Sequence, residues 1–302
     1  MIQRVLVALL CASVCAGCGS GESSPVVEPD AEHTLLIGLI PEQNIFKQIE
    51  RYEPLAAYLS RRAGVKFELR VLPRYGNIID NFVSTGLDGA FFGSFTYALA
   101  HEKIGVEVLA RPVGRDGSSS YHGLIFIRRD SGLNGIRGLR GKRFAFVDKA
   151  TTAGYLLPLE FFHVNGIEDY PTFFSETYFA GTHENSIYDV LSGGADIGAA
   201  KSTVFGRLAA ADPRIANELL ILTRSPDVPE NGLALRPDID PEVRNRIKQT
   251  LLEMKQDPEG RQVLVEFGAL EFIETTSEDY APVYRYAEEV GLDLATYDYI
   301  ND

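Results

Sequence analysis

Short apolar runs alternate with amphipathic segments along almost the whole chain after residue 33, and this alternation restricts the possible fold most. Thr34–Ile40 is nearly continuous in apolar residues, which is typical of a buried strand. Asn44–Arg62 then places its apolar residues on one helical face, and Val65–Val71 alternates apolar and polar residues with the period of a strand. Because the same order recurs further along, the pattern predicts an α/β fold built from βα units around parallel sheets.

Two segments rich in turn-forming residues interrupt this alternation. Gly114–Ser120 is rich in Gly and Ser, and Pro226–Gly232 combines two prolines with a glycine. We expect two lobes joined by hinges near residues 117–120 and 226–232. Residues 34–117 and 230–302 would form the first lobe and residues 118–229 the second. The final stretch is predicted to be helical, most clearly over Pro241–Met254.

Charge and composition exclude several classes of protein. The chain has 302 residues and a formal charge of −13, so its overall field repels a phosphate backbone and binding to nucleic acid is not expected. Hydrophobic residues make up 45% and charged residues 24%, the usual balance of a folded protein. The length favours two domains over one small module.

The first residues resemble an export signal. Arg4 precedes the apolar run Val5–Val14, which is too short to span a bilayer but long enough for a signal-peptide core. The run leads into Cys15-Ala16-Gly17-Cys18, which resembles the lipobox of bacterial lipoproteins, although Leu is usual where Cys15 stands. We therefore predict a signal peptide over residues 1–17 and a lipid on Cys18, with an ordinary secretory signal peptide as the alternative.

The leader also determines the expected location and redox chemistry. All three cysteines lie within it, so the mature chain would have no disulfide and no thiolate metal site. Residues 18–33, rich in Gly, Ser, Pro and acidic residues, are expected to be a flexible tether. Acyl chains would hold the protein at a membrane outside the cytoplasm, on the periplasmic side if the cell has an outer membrane.

One turn has the features of an anion site. Residues 148–154, Asp-Lys-Ala-Thr-Thr-Ala-Gly, lie between a predicted strand and a predicted helix. Free backbone N–H groups and the helix dipole favour negative charge at such a helix start. Thr151 or Thr152 could instead serve only as a helix cap.

Several motifs in the order found here resemble the PhnD-type family, extracytoplasmic substrate-binding proteins of ABC transporters for phosphonate, phosphite and related oxyanions. They are Tyr75, Asp88–Tyr97, Tyr121, Arg128–Gly132, Leu139–Phe146, the Thr-Thr-Ala-Gly turn, Gly181–Glu184 and Gly193–Gly198. The resemblance implies a type 2 periplasmic-binding-protein fold, in which two α/β lobes close on a ligand in the cleft between them.

The resemblance also implies roles for individual residues. Thr151 and Thr152 would be the first two anion-binding hydroxyls of a turn that is usually Ser-Thr-Ser-Gly, with Ala153 in place of the third. His183 would donate a hydrogen bond to the oxyanion, and Glu184 stands where the family usually has Asp.

Further cleft residues are implied in the same way. Asp196 would accept a hydrogen bond from a protonated ligand oxygen or an amine. Tyr75, Tyr97 and Tyr121 resemble cleft aromatics, with core packing as the alternative for each. Ser94, where the family commonly has Pro, could compensate for Ala153.

The function expected from the resemblance is capture of a small phosphorus oxyanion, such as phosphonate, phosphite or phosphate, for delivery to an ABC permease. A sensor of the same fold, signalling to a membrane histidine kinase or chemoreceptor, is the alternative. We expect no enzymatic activity and no cofactor or metal, because the sequence contains no G-x-S-x-G, H-E-x-x-H or P-loop motif and no metal-spaced His/Cys cluster.

Overall fold

The computed structural model describes residues 30–75 and 77–301. Its first part alternates strands and helices: β1 (Asp30–Leu39), α1 (Ile45–Ala63), β2 (Val65–Val71), α2 (Asn77–Thr85), β3 (Gly89–Phe92), α3 (Ser94–Ile104) and β4 (Glu107–Gly114). Local signals define α1. The Asn44 side chain accepts hydrogen bonds from the Phe46 and Lys47 amides at its start, and Gly64 ends it with a φ of 68°.

The middle of the chain contains β5 (Ser120–Tyr121), β6 (Gly123–Arg128), β7 (Arg143–Phe146), α4 (Leu157–Val164), α5 (Tyr170–Phe173), β8 (Glu176–Phe179), α6 (His183–Ser192), β9 (Ile197–Lys201), α7 (Ser202–Ala211), α8 (Pro213–Glu218) and β10 (Leu219–Arg224). A single π-helical turn, Thr152–Leu156, precedes α4. The remainder comprises β11 (Val228–Pro229), β12 (Gly232–Leu235), α9 (Pro241–Glu253), α10 (Pro258–Phe267), β13 (Ala269–Glu274) and α11 (Ala281–Glu289).

The strands form two main sheets, and each sheet is the centre of one lobe. Lobe 1 contains a six-stranded sheet in the order β13-β4-β12-β3-β1-β2, and lobe 2 a five-stranded sheet in the order β10-β6-β9-β7-β8. Strands from both ends of the described chain meet in the first sheet. The short strands β5 and β11 pair antiparallel to each other where the chain passes between the lobes. The fold is therefore a two-lobed α/β fold, as the resemblance implies.

The sheets differ from the parallel sheets predicted from the sequence. In lobe 1 only β1 pairs parallel, with β2 and β3, whereas β12 pairs antiparallel with β3 and β4, and β13 with β4. In lobe 2 β7 pairs parallel with β8 and β9, while β6 and β10 are antiparallel. Apolar runs indicate burial but not strand direction, so the antiparallel pairing of these strands could not be predicted.

Two local predictions also need correction. The last part of the chain is not wholly helical, because it contains β12 and β13. The predicted tether extends too far, because β1 already begins at Asp30. The signal peptide and Cys18 lie outside the described residues.

An aromatic cluster anchors the strand that leads to the Thr-Thr turn. Phe144 and Phe146 on β7 have ring centroids 4.6 Å apart, and both pack against Phe162 of α4. All three side chains are almost fully buried. The turn after β7 therefore begins from a rigid base. No helix among residues 30–75 and 77–301 is long and apolar enough to cross a membrane.

Candidate functional site

The loops that follow several strands meet at the cleft between the lobes. Glu42 follows β1 and Ser94 follows β3 in lobe 1, while Thr152 follows β7, His183 follows β8 and Lys201 ends β9 in lobe 2. Each of these side chains is at most 4% exposed. Ligands of open α/β folds bind beyond the carboxyl ends of strands, so this is the expected place for a site.

Two helix starts face each other across the cleft. The Phe95 amide, in the first turn of α3, donates a hydrogen bond of 2.8 Å to Oγ1 of Thr152 in the opposite lobe. Beside it, Oγ1 of Thr96 donates to the carbonyl of Ala150 at 3.1 Å. Gly93 caps α3 without a side-chain acceptor. Both lobes therefore direct N-terminal helix ends, with their partial positive charge, toward one point.

The predicted Thr-Thr turn has an unusual backbone. The Leu156 amide donates to the Thr151 carbonyl at 3.1 Å, which closes a π-helical turn instead of the predicted α-helical start. Oγ1 of Thr151 donates to the Asp148 carbonyl at 2.7 Å and so braces the turn. A Cβ on Gly154 would lie 2.3 Å from Cβ of Val147, so glycine is required for this close approach.

Residues near the C-terminus hold the same turn from outside. Nδ2 of Asn301 donates to Oδ2 of Asp148 at 2.8 Å, and the Lys149 amide donates to Oδ1 of Asn301 at 2.9 Å. The Tyr297 hydroxyl donates to the Lys149 carbonyl at 3.0 Å. The position of the turn thus depends on residues about 150 positions away, a contact that sequence reasoning missed.

Ser94 and Tyr121 pair beside the two helix starts. Their hydroxyl oxygens are 3.0 Å apart, and Oγ of Ser94 also donates to the Pro229 carbonyl at 2.6 Å. Both side chains are buried. The structure therefore brings these two predicted residues together with the Thr-Thr turn.

Tyr75 and His183 form the other wall of the cleft. Their rings meet edge to face, with centroids 5.9 Å apart. The buried Tyr75 hydroxyl has no hydrogen-bond partner among the described residues, and burial raises its pKa well above the ordinary value, so it is an uncharged and free donor.

His183 is held in its neutral form. Burial lowers its pKa to about 3, despite the opposing effect of the Glu42 charge. Nδ1 of His183 accepts the Lys201 amide at 3.3 Å, so the remaining ring proton is on Nε2. The imidazole therefore offers one N–H donor.

Lys201 is the main residue of the cleft that sequence reasoning missed. It is 2% exposed, and its Nζ lies 2.9 Å from Oε1 of Glu42 and 2.8 Å from Oδ1 of Asn231, with Glu230 as a third acceptor. The same Nζ lies 4.4 Å from the centre of the Tyr121 ring. We call Glu42, Lys201, Glu230 and Asn231 the ionic network.

The ionic network keeps Glu42 and Lys201 charged. Burial alone would raise the pKa of Glu42, but the charges of Lys201 and Arg207 hold that pKa well below its usual range. Burial likewise would lower the pKa of Lys201, and the charges of Glu230 and Glu42 raise it above the ordinary value. A lysine directly after the apolar run of β9 was the available sequence signal, since a charge at the end of a buried strand needs a partner.

Glu184 lies at the mouth of the cleft, away from the Thr-Thr turn. Its Oε2 accepts the Asn44 amide at 2.5 Å, so it links α6 of lobe 2 to the start of α1 in lobe 1. Glu184 of lobe 2, which the resemblance placed next to His183, therefore contacts lobe 1.

Two predicted site residues lie elsewhere. Tyr97 packs in the core of lobe 1, where its ring stacks on His101 and lies 4.3 Å from the Tyr280 ring, because its position on α3 faces away from the cleft. Asp196 precedes β9, at the opposite end of the strand from Lys201, and its Oδ2 accepts the Arg143 amide at 2.9 Å. These predictions were wrong in placing both residues in the cleft.

The described residues contain no group of three or more His, Cys, Asp or Glu side chains that could hold a metal ion. The cleft presents hydroxyl, imidazole and amide donors between the two lobes. Fold and site together define a two-lobed solute-binding protein.

The sequence identifies the family within that class. Residues 37–280 match the family described as ABC transporter, phosphonate, periplasmic substrate-binding protein. Because this match covers most of the chain, the protein belongs to that family of extracytoplasmic transporter components.

Similar proteins come from several bacteria. The chain is 24% identical to the phosphonates-binding periplasmic protein of Escherichia coli, covering 87% of this chain and 79% of that protein. It is 25% identical to the phosphate-import protein PhnD of Mycolicibacterium smegmatis, covering 82% and 80%. By name, the first relative is a binding protein and the second an import protein.

Solved structures share the fold. A binding protein component of an ABC phosphonate transporter from Pseudomonas aeruginosa aligns with a TM-score of 0.78 and 21% identity over 84% of this chain and 85% of that one. PhnD1 from Prochlorococcus marinus, in complex with methylphosphonate, aligns with a TM-score of 0.76 and 22% identity over 85% and 98%.

Proposed function

We propose that this protein captures a small phosphorus oxyanion in the cleft and delivers it to an ABC permease. The carrying observation is the meeting of two helix starts, at Phe95 and at Thr152, beside the free donors of Tyr75 and His183. Such an arrangement of N–H and O–H donors suits a tetrahedral oxyanion, whose oxygens accept hydrogen bonds in several directions.

Two hydrogen-bond donors of the cleft are bonded to other protein groups and would become available to the ligand. The Phe95 amide is bonded to Thr152, and the Ser94 hydroxyl to the Pro229 carbonyl. An oxyanion placed between the helix starts could accept from these groups in exchange for the contacts between them. A hydrogen bond to a charged acceptor is stronger than one between neutral groups, so the exchange favours binding.

The ligand charge would be met by hydrogen bonds and helix dipoles, without a free cation. Nζ of Lys201 has three hydrogens, and Glu42, Glu230 and Asn231 provide three acceptors for them. His183 is neutral. This favours small ligands of low charge, the phosphonate and phosphite class, over highly charged anions.

We also propose that the mature protein is tethered to a membrane through a lipid on Cys18. The support is the apolar leader followed by Ala16-Gly17-Cys18, together with membership of a periplasmic family. Cys18→Ser should leave the leader uncleaved or release the protein from membranes. Mass spectrometry that finds an unmodified mature terminus at another residue would contradict the lipid.

The binding proposal is tested by thermal shift and titration calorimetry on residues 30–302. The candidates are methylphosphonate, aminoethylphosphonate, phosphite, hypophosphite and phosphate, with sulfate and arsenate as comparison anions. A ligand that binds only the folded state at a hundred times its Kd should stabilise it by about 2.7 kcal/mol. Tyr75→Phe removes only the free hydroxyl and should weaken binding. Tyr284→Phe, which removes another buried hydroxyl without a partner among the described residues, on α11 in lobe 1, should not. Absence of a shift with every phosphorus anion would overturn the proposal.

A further inference from the structure

A second cavity, separate from the Thr-Thr turn, opens between the lobes. Its volume is about 840 Å³, within the range of small-molecule sites. Two arginines of each lobe line it: Arg51 and Arg115 from lobe 1, and Arg207 and Arg224 from lobe 2. We call this cavity the arginine groove.

These guanidinium groups have little compensation from carboxylates. Nε of Arg51 donates to the Phe267 carbonyl at 2.7 Å, and Nη2 of Arg115 donates to the Val265 carbonyl at 2.7 Å. Within the part of the chain that the structure describes, neither they nor Arg224 form an ion pair. Arg207 forms one ion pair, with Nη2 3.7 Å from Oε2 of Glu42, a carboxylate that also pairs with Lys201.

Buried donors in the groove lack acceptors. Nε and Nη2 of Arg207 and Oγ1 of Thr203 are inaccessible to water and have no hydrogen-bond partner among the described residues. Burial and the nearby charge of Arg51 lower the pKa of Arg207. Buried donors are nearly always satisfied, and like charges are rarely left facing each other, so an anion would suit these groups.

The acidic residues of the groove do not supply that anion. Glu230 is engaged with Lys201, whereas Asp116 and Glu266 are exposed. Oδ1 of Asp116 accepts the Ser118 amide, and Oε1 of Glu266 accepts from the side chain of Gln262. Because both carboxylates are exposed, solvent and salt screen their charges.

We propose that the arginine groove is a second anion-binding site, which takes a condensed or organic phosphate with two or more negative charges. A guanidinium group can donate two parallel hydrogen bonds to two oxygens of one phosphate group. Four such groups offer more donors than one small oxyanion can accept from, so a ligand with more than one phosphate or a second charged group fits the groove better. Because the arginines come from both lobes, the anion bridges Arg51 and Arg207 and favours the closed arrangement of the lobes.

The groove and the Thr-Thr turn are distinct sites. The ionic network lies between them, since Glu230 lines the groove while Lys201 packs on Tyr121. The inference therefore does not depend on the proposed oxyanion ligand.

The test is titration calorimetry of residues 30–302 with pyrophosphate at low ionic strength. The wild-type protein should bind pyrophosphate. Arg207→Gln and Arg51→Gln should each lower its affinity for pyrophosphate at least tenfold. Arg261→Gln is the matched control, because this exposed arginine bonds only to the carbonyls of Lys255 and Gln256. Thr152→Ala should leave pyrophosphate binding within twofold, which separates this site from the cleft.

Circular dichroism melting verifies that each variant is folded. If Arg207→Gln does not fold, Arg207→Lys and Arg224→Gln replace it, since the first keeps the charge without the fork and the second lies at the exposed rim. Weaker binding in either supports the proposal. No pyrophosphate binding to wild type, equal binding in the groove variants, or a loss caused by Thr152→Ala alone would overturn it.

Discussion

The Phe95 amide and the Thr152 hydroxyl, 2.8 Å apart, join the two lobes at the start of one helix in each. The two residues are 57 positions apart in the sequence. Their hydrogen bond places two sets of N-terminal donors within reach of a single small anion. It is the geometric basis of the proposed oxyanion site.

Thr152→Ala removes the hydroxyl that faces both Phe95 and the proposed ligand. A hydrogen bond to a charged group contributes about 1.5 to 3 kcal/mol, so affinity for the identified oxyanion should fall roughly ten- to a hundredfold. Calorimetry gives the change. Thr250→Ala, on the exposed face of α9, is the control and should have no effect. Binding by folded Thr152→Ala within about twofold of wild type would mean that the cleft is misassigned.

His183→Ala tests the same site from the other wall of the cleft. Loss of the Nε2 donor should lower the affinity for the oxyanion by roughly ten- to a hundredfold, and the protein should remain folded. Thr151→Ala should act less directly, since the Thr151 hydroxyl is bonded to the Asp148 carbonyl. Unchanged affinity in folded His183→Ala would exclude the imidazole from the site.

Lys201→Met should destabilise the protein strongly. Removing one partner of a buried ion pair leaves an uncompensated charge and costs about 3 to 5 kcal/mol, here because Glu42 stays buried. Glu42→Gln in the same chain should recover part of the loss. Urea unfolding of the wild type, both single variants and the double variant gives the coupling free energy between Lys201 and Glu42. Lys66→Met, in an exposed pair with Glu68, should change stability by less than about 1 kcal/mol. Strictly additive effects would argue against the ionic network.

Stability should fall as the pH decreases below about 6.5, because His183 has its pKa lowered to about 3 in the folded protein. Below 6.5 the unfolded chain binds a proton that the folded chain does not, so acid favours unfolding. The contribution reaches about 2 kcal/mol between pH 7.5 and pH 5. Glu42, whose pKa is also lowered, adds a loss only below its ordinary value of 4.5. Urea unfolding of His183→Gln should show a shallower pH dependence over this range, and an unchanged slope would contradict a neutral buried imidazole.

Asn301→Ala should lower the affinity for the oxyanion, although Asn301 itself would not contact the ligand. Asn301 binds Asp148 and the Lys149 amide and so positions the Thr-Thr turn. We expect a several-fold loss of affinity with a small change in melting temperature. The control is Asn165→Ala, because Asn165 is exposed and bonds only locally, to the Phe161 carbonyl. Ligand affinity equal in both variants would show that the turn is rigid by itself.

Much of the architecture and part of the site could be predicted from sequence. The alternation after Thr34 indicates α/β units, and the Thr-Thr turn is visible as hydroxyls between an apolar run and a helix. These features are local, because strand and helix periods repeat over a few residues.

Strand direction, burial of charge and side-chain orientation were decided by the tertiary structure. Glu42 and Lys201 are 159 positions apart, and no local pattern indicates that their charges meet in a buried interface. Tyr97 and Asp196 occur in the expected motifs, yet the rotation of α3 and the direction of β9 take them out of the cleft. Hydrophobic period determines which residues are buried, whereas the packing of distant segments determines which polar groups meet.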